Sequence, residues 1–468
     1  MKGYLKMKTG IKKMVSRVNI KPGLSNFSSY FFSSRTKFNR KAITFGVVIL
    51  SWLVINSLFL IAQQPEQVIA IKGAKIITVT GEEIPNGIIL IKGKLIADIG
   101  PNVNIPSEAK VIEAQGLRAY PGLIDGYSFL GIQEISSVRA TVDTRETGDI
   151  NPQANSYEAL RPDSVHIPIT RANGITCALV APTGGLISGM SGLIKLDGWT
   201  PGELVVKGPV AMHIQFPMPR RSFRRQSKPS VSTSKKINQL KKLFAEARYY
   251  EKRRLAAQKN TLLPYPDFDE KLEALLPVVQ GQLPVMISVY AENDIKQVIK
   301  LVKEEKLKAI LFGVHDGWKV ANEIAQAGLP VVLDSLYNMP VRWEDGYDAL
   351  YRNPAALVKA GVKIAFSSQS ASVAKDLPWH AAKAVAFGLE AEEALKAVTI
   401  NPAEIFGVAD QMGSLEKGKL ANIVLTDGDI LEIKRHVKHL FIEGQEIDLS
   451  NYYTELLHKF EKRLNENK

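Results

Sequence analysis

The sequence predicts an α/β fold: a (β/α)8 TIM-like barrel, a small β-sandwich formed by segments on both sides of that barrel, and an N-terminal transmembrane helix. Three observations predict it. Between residues 118 and 411, apolar strand-like runs alternate with amphipathic helical runs, the pattern of βα units around a parallel sheet. On either side, at 67–117 and 412–449, short β-branched runs and glycine-bearing turns recur with no helix to cover them. Ahead of both, Ala42 to Ala62 is a run of 21 residues without a charge, long enough to cross a bilayer core as a helix.

The leader carries most of the charge. The chain has 468 residues and a formal net charge of +13. Eleven lysines and arginines fall within residues 1–65, which hold no acid, so the rest of the chain is close to neutral. That distribution argues against nucleic acid as a partner and for a topogenic segment. Residues 1–41 read as a basic arm and 42–62 as an anchor, which by the positive-inside rule places the body on the extracytoplasmic, periplasmic side. A cleaved secretory signal ending near Ala62, which would leave the body secreted, and an organelle presequence are the rival readings. The single cysteine, Cys177, excludes an intramolecular disulfide framework and lies in an apolar run, where it reads as a small buried hydrophobe.

Within 67–117 the runs VIAIKGAKIITVTG, GIILIKGKLIADIG and AKVIEAQG read as strands, and MGSLEKGKLANIVLTDGDIL with VKHLFIEGQEIDL supplies the same composition near the far end. A sandwich closed by both segments is the economical solution. Tyr120 to Ile124 reads as the first strand of the barrel, ended by a turn at Asp125-Gly126. ITCALVAP, PVAMHIQF, PVMISVY, LKAILFGV, LPVVLDS and VKIAFSS are the further strands. Together they make about seven units over a span close to a (β/α)8 barrel in size. A doubly wound open sheet is the alternative, but no G-x-G-x-x-G follows any of these strands. Residues 217–276 interrupt the barrel with a loop holding Arg220, Arg221, Arg224 and Arg225, then a charged helix whose Leu240, Leu243, Phe244 and Tyr250 are spaced to pack on the barrel wall. Residues 450–468 close the chain as an amphipathic helix.

The segment PGLIDGYSFLG, with ANGITCALVAPTGGLISGMSGLIKLDG, LPWHAAKAVAFGL, AVTINPAEIFGV and MGSLEKGKLANIVL, resembles the amidohydrolase superfamily, in particular its imidazolonepropionase-like members. The resemblance covers about Ala70 to Leu449. It implies a barrel with a flanking sandwich, and metal-assisted hydrolysis of C–N bonds in cyclic amides or peptide-like compounds, typically with zinc. It also implies histidines and carboxylates at the barrel mouth, and this sequence departs from the pattern there. Tyr127 and Phe129 stand at the two histidine positions of the first strand, Ser288 and Tyr290 at those of a later His-Ala-His pattern, Phe312 and Gly313 at a Glu-His pair, and Gln369 at the catalytic aspartate. No metal ligands are therefore assigned, and no cofactor is expected.

Asp125, His315 and Asp316 are the remaining candidate catalytic residues, since each stands beside the end of a predicted strand. His213, His315 and His380 are the histidines that strand placement could bring near a mouth, whereas His436 and His439 are three apart on a predicted strand and face opposite ways. Asp125, a lone carboxylate, reads more readily as orienting its loop. Thr183 to Gly189 reads as a glycine-rich βα loop rather than a phosphate nest, because no Gly-Lys-Ser/Thr follows it. Two functions are expected. The first is a membrane-associated protein of this family that is catalytically impaired and serves as a non-catalytic partner, in a homo-oligomer or with an active relative, or as a small-molecule-binding protein. The second is an active C–N hydrolase with an atypical or metal-free site.

Overall fold

The computed structural model describes residues 67–216, 231–340 and 342–466. The basic arm, the uncharged run 42–62 and the loop of four arginines lie outside the described residues. No helix among the described residues is long and apolar enough to cross a membrane.

The described fold begins in a mixed sheet. Strand β1 (Val68–Ile76) opens with the apolar run Val68 to Ile71, and β2 (Ile84–Lys92), β3 (Leu95–Gly100), β4 (Lys110–Glu113) and β5 (Arg118–Pro121) follow with no helix between. Ile69, Ile71, Ile76, Ile89 and Ile91 bury one face completely, as a half-buried sheet requires. The later strands β14, β15 and β16 complete it in the order β16-β15-β14-β5-β1-β2-β3, with β4 against β1.

The second sheet curls into the barrel. Its path runs through β6 (Leu123–Ser128), β7 (Ile175–Val180), β8 (Ile187–Lys195), β9 (Val205–Gln215), β10 (Val285–Val289), β11 (Ala309–Gly313), β12 (Val331–Leu333) and β13 (Ile364–Phe366). Helices α1 (His166–Arg171), α2 (Pro201–Leu204), α3 (Val231–Lys259), α4 (Glu270–Val279), α5 (Glu292–Glu305), α6 (Ala321–Gln326), α7 (Ala349–Lys359), α8 (Leu377–Val385), α9 (Ala391–Lys396) and α10 (Ile400–Ile405) intervene or follow. The chain then returns to the first sheet through β14 (Ile423–Thr426), β15 (Val437–Ile442) and β16 (Gln445–Glu446), and ends the described fold with α11 (Tyr452–Glu466).

Each helix follows from local chemistry. In α5, Ile295, Val298, Leu301 and Val302 form the buried stripe, and Lys306 closes the end in the left-handed conformation. Asp269 caps α4 by accepting from Lys271 and Leu272 amides. Leu240, Phe244 and Ala247 seat α3 on the barrel wall, and Arg248 pairs with Glu305 at 2.6 Å.

Three expectations change. Tyr120 to Ile124 is not one strand: the chain passes at Gly122 from β5 of the first sheet to β6 of the barrel. Asp125 and Gly126 are therefore inside β6, not in a turn that ends it. The barrel is not eight βα repeats. Six of its strands match the anticipated runs, but β8 is antiparallel to both neighbours, and Ile187 to Gly189 opens that strand instead of lying in a βα loop. The glycines there admit a crossing backbone: a Cβ on Gly185 would stand 2.7 Å from the Asp149 carbonyl oxygen, and one on Gly189 2.5 Å from that of Ala154. The segment carrying those carbonyls bridges to β8 at Ile150–Ile187 and Asn155–Met190. Asn401 lies inside α10, and its side-chain amide donates to the Ile364 carbonyl at 3.0 Å.

Candidate functional site

Alternation along the barrel strands decides what faces the interior. Cys177, Leu179, Ala211, Met286, Ile310, Phe312, Val332 and Ala365 form an apolar cluster with Ile124 and Tyr127, while the intervening residues Ala178, Met212, Ile287, Leu311, Val331 and Ile364 belong to the core outside. Cys177 is wholly buried, which pushes its thiol up to about 12, so it is an inert filler.

Strand β6 breaks its register between Asp125 and Ser128. The irregularity re-aims its side chains. Tyr127 enters the interior, 1% exposed, with its ring 4.4 Å from that of Phe312, 5.5 Å from His213 and 5.8 Å from Phe129. Its hydroxyl donates to the Pro182 carbonyl at 3.0 Å, and burial holds the phenol far above its ordinary range. His213, on β9, is also fully buried, and neither ring nitrogen has a hydrogen-bond partner among the described residues. Burial pulls that imidazole down to about 3, so it is neutral.

Asp125 closes the barrel seam. No strand ladder joins β6 to β13, the two ends of the sheet path. One Asp125 oxygen accepts from the Ser368 amide at 2.9 Å and the Tyr127 amide at 3.2 Å, and the other accepts from the Ser368 hydroxyl. The Gln369 amide donates to the Tyr127 carbonyl at 2.8 Å and the Ser128 hydroxyl to that of Ser370 at 2.9 Å. Burial pushes the Asp125 carboxyl up to about 7, against the pull of its three donors.

The opposite side of the mouth is polar and internally paired. His315 follows β11, and its Nε2 lies 3.0 Å from Oδ2 of Asp334, which follows β12; both residues are 3% exposed. The Tyr290 ring stacks edge-on against His315 at 5.0 Å, and its hydroxyl bonds the Gln369 side chain. His380, inside α8, accepts from the Leu336 amide at Nδ1, 3.2 Å away, and burial lowers its imidazole to about 4. Gly313 takes φ +91°, and a Cβ there would stand 2.6 Å from the Tyr290 ring. That ring fills the space a side chain at 313 would need.

Among the anticipated site residues, Tyr127, Tyr290, His315 and Gln369 come together, with Phe129 against Tyr127. Ser288, 3% exposed, is on β10 with its carbonyl accepting from the Phe216 amide. Asp316 is turned away to helix α5, where it accepts from the Glu292 amide at 3.1 Å and pairs with Lys319 at 3.0 Å. His213 and His380 are brought to the barrel but do not converge with His315 on a common point. His439 lies on β15 of the other sheet, paired with Glu446, and His436 stands just before that strand, paired with Asp427. Asp334 and Ser368 were not anticipated. Asp334 had a legible signal, since it ends the apolar run LPVVL as Asp125 follows PGLI.

No group of three histidine, cysteine, aspartate or glutamate side chains among the described residues could hold a metal ion. The donor set does not fit one: the interior is taken by Tyr127 and Phe312, His315 is engaged by Asp334, and the His380 Nδ1 lone pair is committed to a backbone amide.

Residues 282–447 match the profile of the Amidohydrolase family. That stretch, about a third of the chain, is similar to the amidohydrolase family. It is 24% identical over 395 residues to the amidohydrolase tasK of Hapsidospora irregularis, an alignment covering 76% of this chain but 39% of that protein. It is 27% identical over 225 residues to the adenine deaminase of Desulforamulus reducens, covering 41% of this chain and 37% of that enzyme. The chain thus spans well under half the length of these relatives. An amidohydrolase from Thermotoga maritima superimposes with a TM-score of 0.74 at 24% identity, covering 81% of this chain and 99% of that one. That likeness shows the amidohydrolase fold.

Proposed function

We propose that this chain is a catalytically impaired member of the amidohydrolase family, one that serves as a non-catalytic partner within a membrane-associated assembly. The family reaction is hydrolytic, and its metal-assisted form needs ligands converging on one point at the mouth. The observation that carries the reading is Tyr127. Its ring occupies the barrel interior against Phe312, and its hydroxyl is spent on the Pro182 carbonyl. The membrane part of the reading rests on the uncharged run 42–62, with the body on the extracytoplasmic side.

A hydrolysis assay tests this on the purified full chain, using adenine, N-acetylglucosamine 6-phosphate and a panel of cyclic amides, with and without added zinc or manganese. The expected result is no turnover above the buffer rate; metal-stimulated turnover overturns the reading. A reporter fused after Lys468 tests the orientation, which cytoplasmic exposure would refute.

One observation favours a second reading, a hydrolase without metal. A carboxylate 3.0 Å from an imidazole is the arrangement that orients a general base. If His315 serves in that way, His315→Ala and Asp334→Asn both abolish whatever hydrolysis is detected, and a variant retaining full activity removes the pair as candidates.

A further inference from the structure

A cleft of about 370 Å³ opens between the first sheet and the barrel, near the point where β5 passes into β6. The loop from β1 to β2, the start of β5, helix α9 and the loop after β14 form its walls. None of the mouth residues Tyr127, Tyr290, His315 and Gln369 lines it. Its floor is apolar. Ile77, Val79, Tyr120, Leu395 and Ile430 are all buried, so side chains from both layers of the fold meet there. Val79 holds φ +76°, a region that a β-branched residue rarely enters and that recurs where a loop clamps a ligand.

The rim is charged and unbalanced. Among the described residues Arg118 is the only cation that lines the cleft. It is already engaged, pairing with Asp429 at 2.9 Å and bonding the Tyr120 hydroxyl. Asp429 is spent in turn, since its other oxygen accepts from the Leu431 amide at 3.0 Å. That leaves Glu83 and Glu392. One oxygen of Glu83 meets Lys75 at 2.5 Å and one of Glu392 meets Lys396 at 2.7 Å. Neither lysine lines the cleft, and each carboxylate keeps a second oxygen without a partner among the described residues. An anion entering here meets two carboxylates and no free cation. A molecule with an apolar body and a positive end meets a matching floor and rim.

We propose that this cleft binds a small organic cation, an amine or guanidine carried on an aromatic or branched apolar body. The apolar part lies on Tyr120, Leu395 and Ile430, and the charged end reaches Glu83 and Glu392 through charge-assisted hydrogen bonds. The volume is at the lower end of the range for small-molecule sites. A ligand there touches the sheet and the barrel at once, so it ties the two layers together and stabilises the folded chain in proportion to its occupancy. The site stands apart from the mouth and does not depend on whether the mouth hydrolyses anything.

The test titrates 2-phenylethylamine into the purified full chain by calorimetry, beside 2-phenylethanol and phenylacetate, which keep the ring and change the charge. The amine is expected to saturate with a Kd below about 1 mM, roughly tenfold tighter than the alcohol, while phenylacetate does not bind. Glu83→Gln and Glu392→Gln should each weaken the amine about threefold and leave the alcohol unchanged. Ala391→Trp, which fills the cleft from an exposed position on its wall, should abolish amine binding. No saturation by about 10 mM amine overturns the proposal, as does equal affinity for amine and alcohol. Amine binding that persists unchanged in Ala391→Trp chain with the parent's melting curve also overturns it, because the ligand then sits elsewhere. Should Ala391→Trp fail to fold, the two glutamine variants at the exposed rim decide: an amine affinity unchanged in both overturns the proposal.

Discussion

The two sides of the barrel mouth solve the same problem differently. On the β6 and β9 side, Tyr127, Phe129 and Phe312 fill the interior with rings, and His213 is enclosed among them without a hydrogen bond from the described protein. On the β11 to β13 side, polar groups remain, and each is answered from within the chain: His315 by Asp334, His380 by the Leu336 amide, and Ser368 by Asp125 across the seam. A metal could have supplied both the filling and the bridging. Here packing supplies one and hydrogen bonds the other, so the fold places no demand on an ion.

Substitutions can break that contrast, starting with the rings. Tyr127→Ala removes a fully buried aromatic from the most crowded part of the interior and should cost about 4 kcal/mol in chemical denaturation; a loss below about 1 kcal/mol would mean the ring is not filling the barrel. Asp125→Ala leaves the buried Tyr127 and Ser368 amides without an acceptor, while the Ser368 hydroxyl keeps the Ser370 carbonyl at 3.2 Å, and should cost about 3 kcal/mol. Ser368→Ala, which removes one donor, should cost clearly less, and equal losses would show that the seam is not organised by the carboxylate. Gly313→Ala combines a left-handed backbone with overlap against Tyr290 and should cost about 2 kcal/mol by thermal melting.

The smallest effect is predicted at His213. Its ring makes no protein hydrogen bond, so His213→Phe should change stability by about 1 kcal/mol or less at pH 7.5, on the favourable side. Acid should separate the two proteins. The folded-state values of His213 and His380 lie below the ordinary 6.5, at about 3 and about 4. Their contribution is therefore complete above pH 6.5 and is lost as the pH falls through that window. Asp125 works in the opposite sense, since its value is raised from 3.8 to about 7; its contribution is present below pH 4 and lost as the pH rises towards 7. Melting curves between pH 7 and pH 4 should fall less steeply for His213→Phe than for the parent, and parallel curves would contradict the burial argument.

Much of the architecture was legible because strand and helix periodicities survive in the sequence. Six barrel strands follow from apolar runs such as ITCALVAP and PVMISVY, and the lack of any covering helix pointed to a structure shared by both flanking segments, expected as a sandwich and found as one mixed sheet. The antiparallel β8 was not legible, since ISGMSGLIK is rich in glycine and its reason for being so, the backbone of residues 149–154 crossing it, is a tertiary contact. The passage from β5 to β6 at Gly122 was hidden for a similar reason: RAYPGLIDG is one apolar run, but its two halves belong to different sheets. At the site, the aromatic replacements at Tyr127 and Phe129 could be read directly. The His315–Asp334 pair spans two strands and needed three dimensions, as did the Asp125–Ser368 contact across a seam 243 residues long in sequence.

The central claim is that protein groups, not a metal, occupy and bridge this barrel mouth. Elemental analysis of the purified full chain after gel filtration in chelator-free buffer tests it most directly. The account predicts well under one tenth of an equivalent of zinc, manganese or iron per chain, with a melting temperature unchanged by chelator. One retained equivalent of any of these metals, removed only together with a fall in melting temperature, would contradict it.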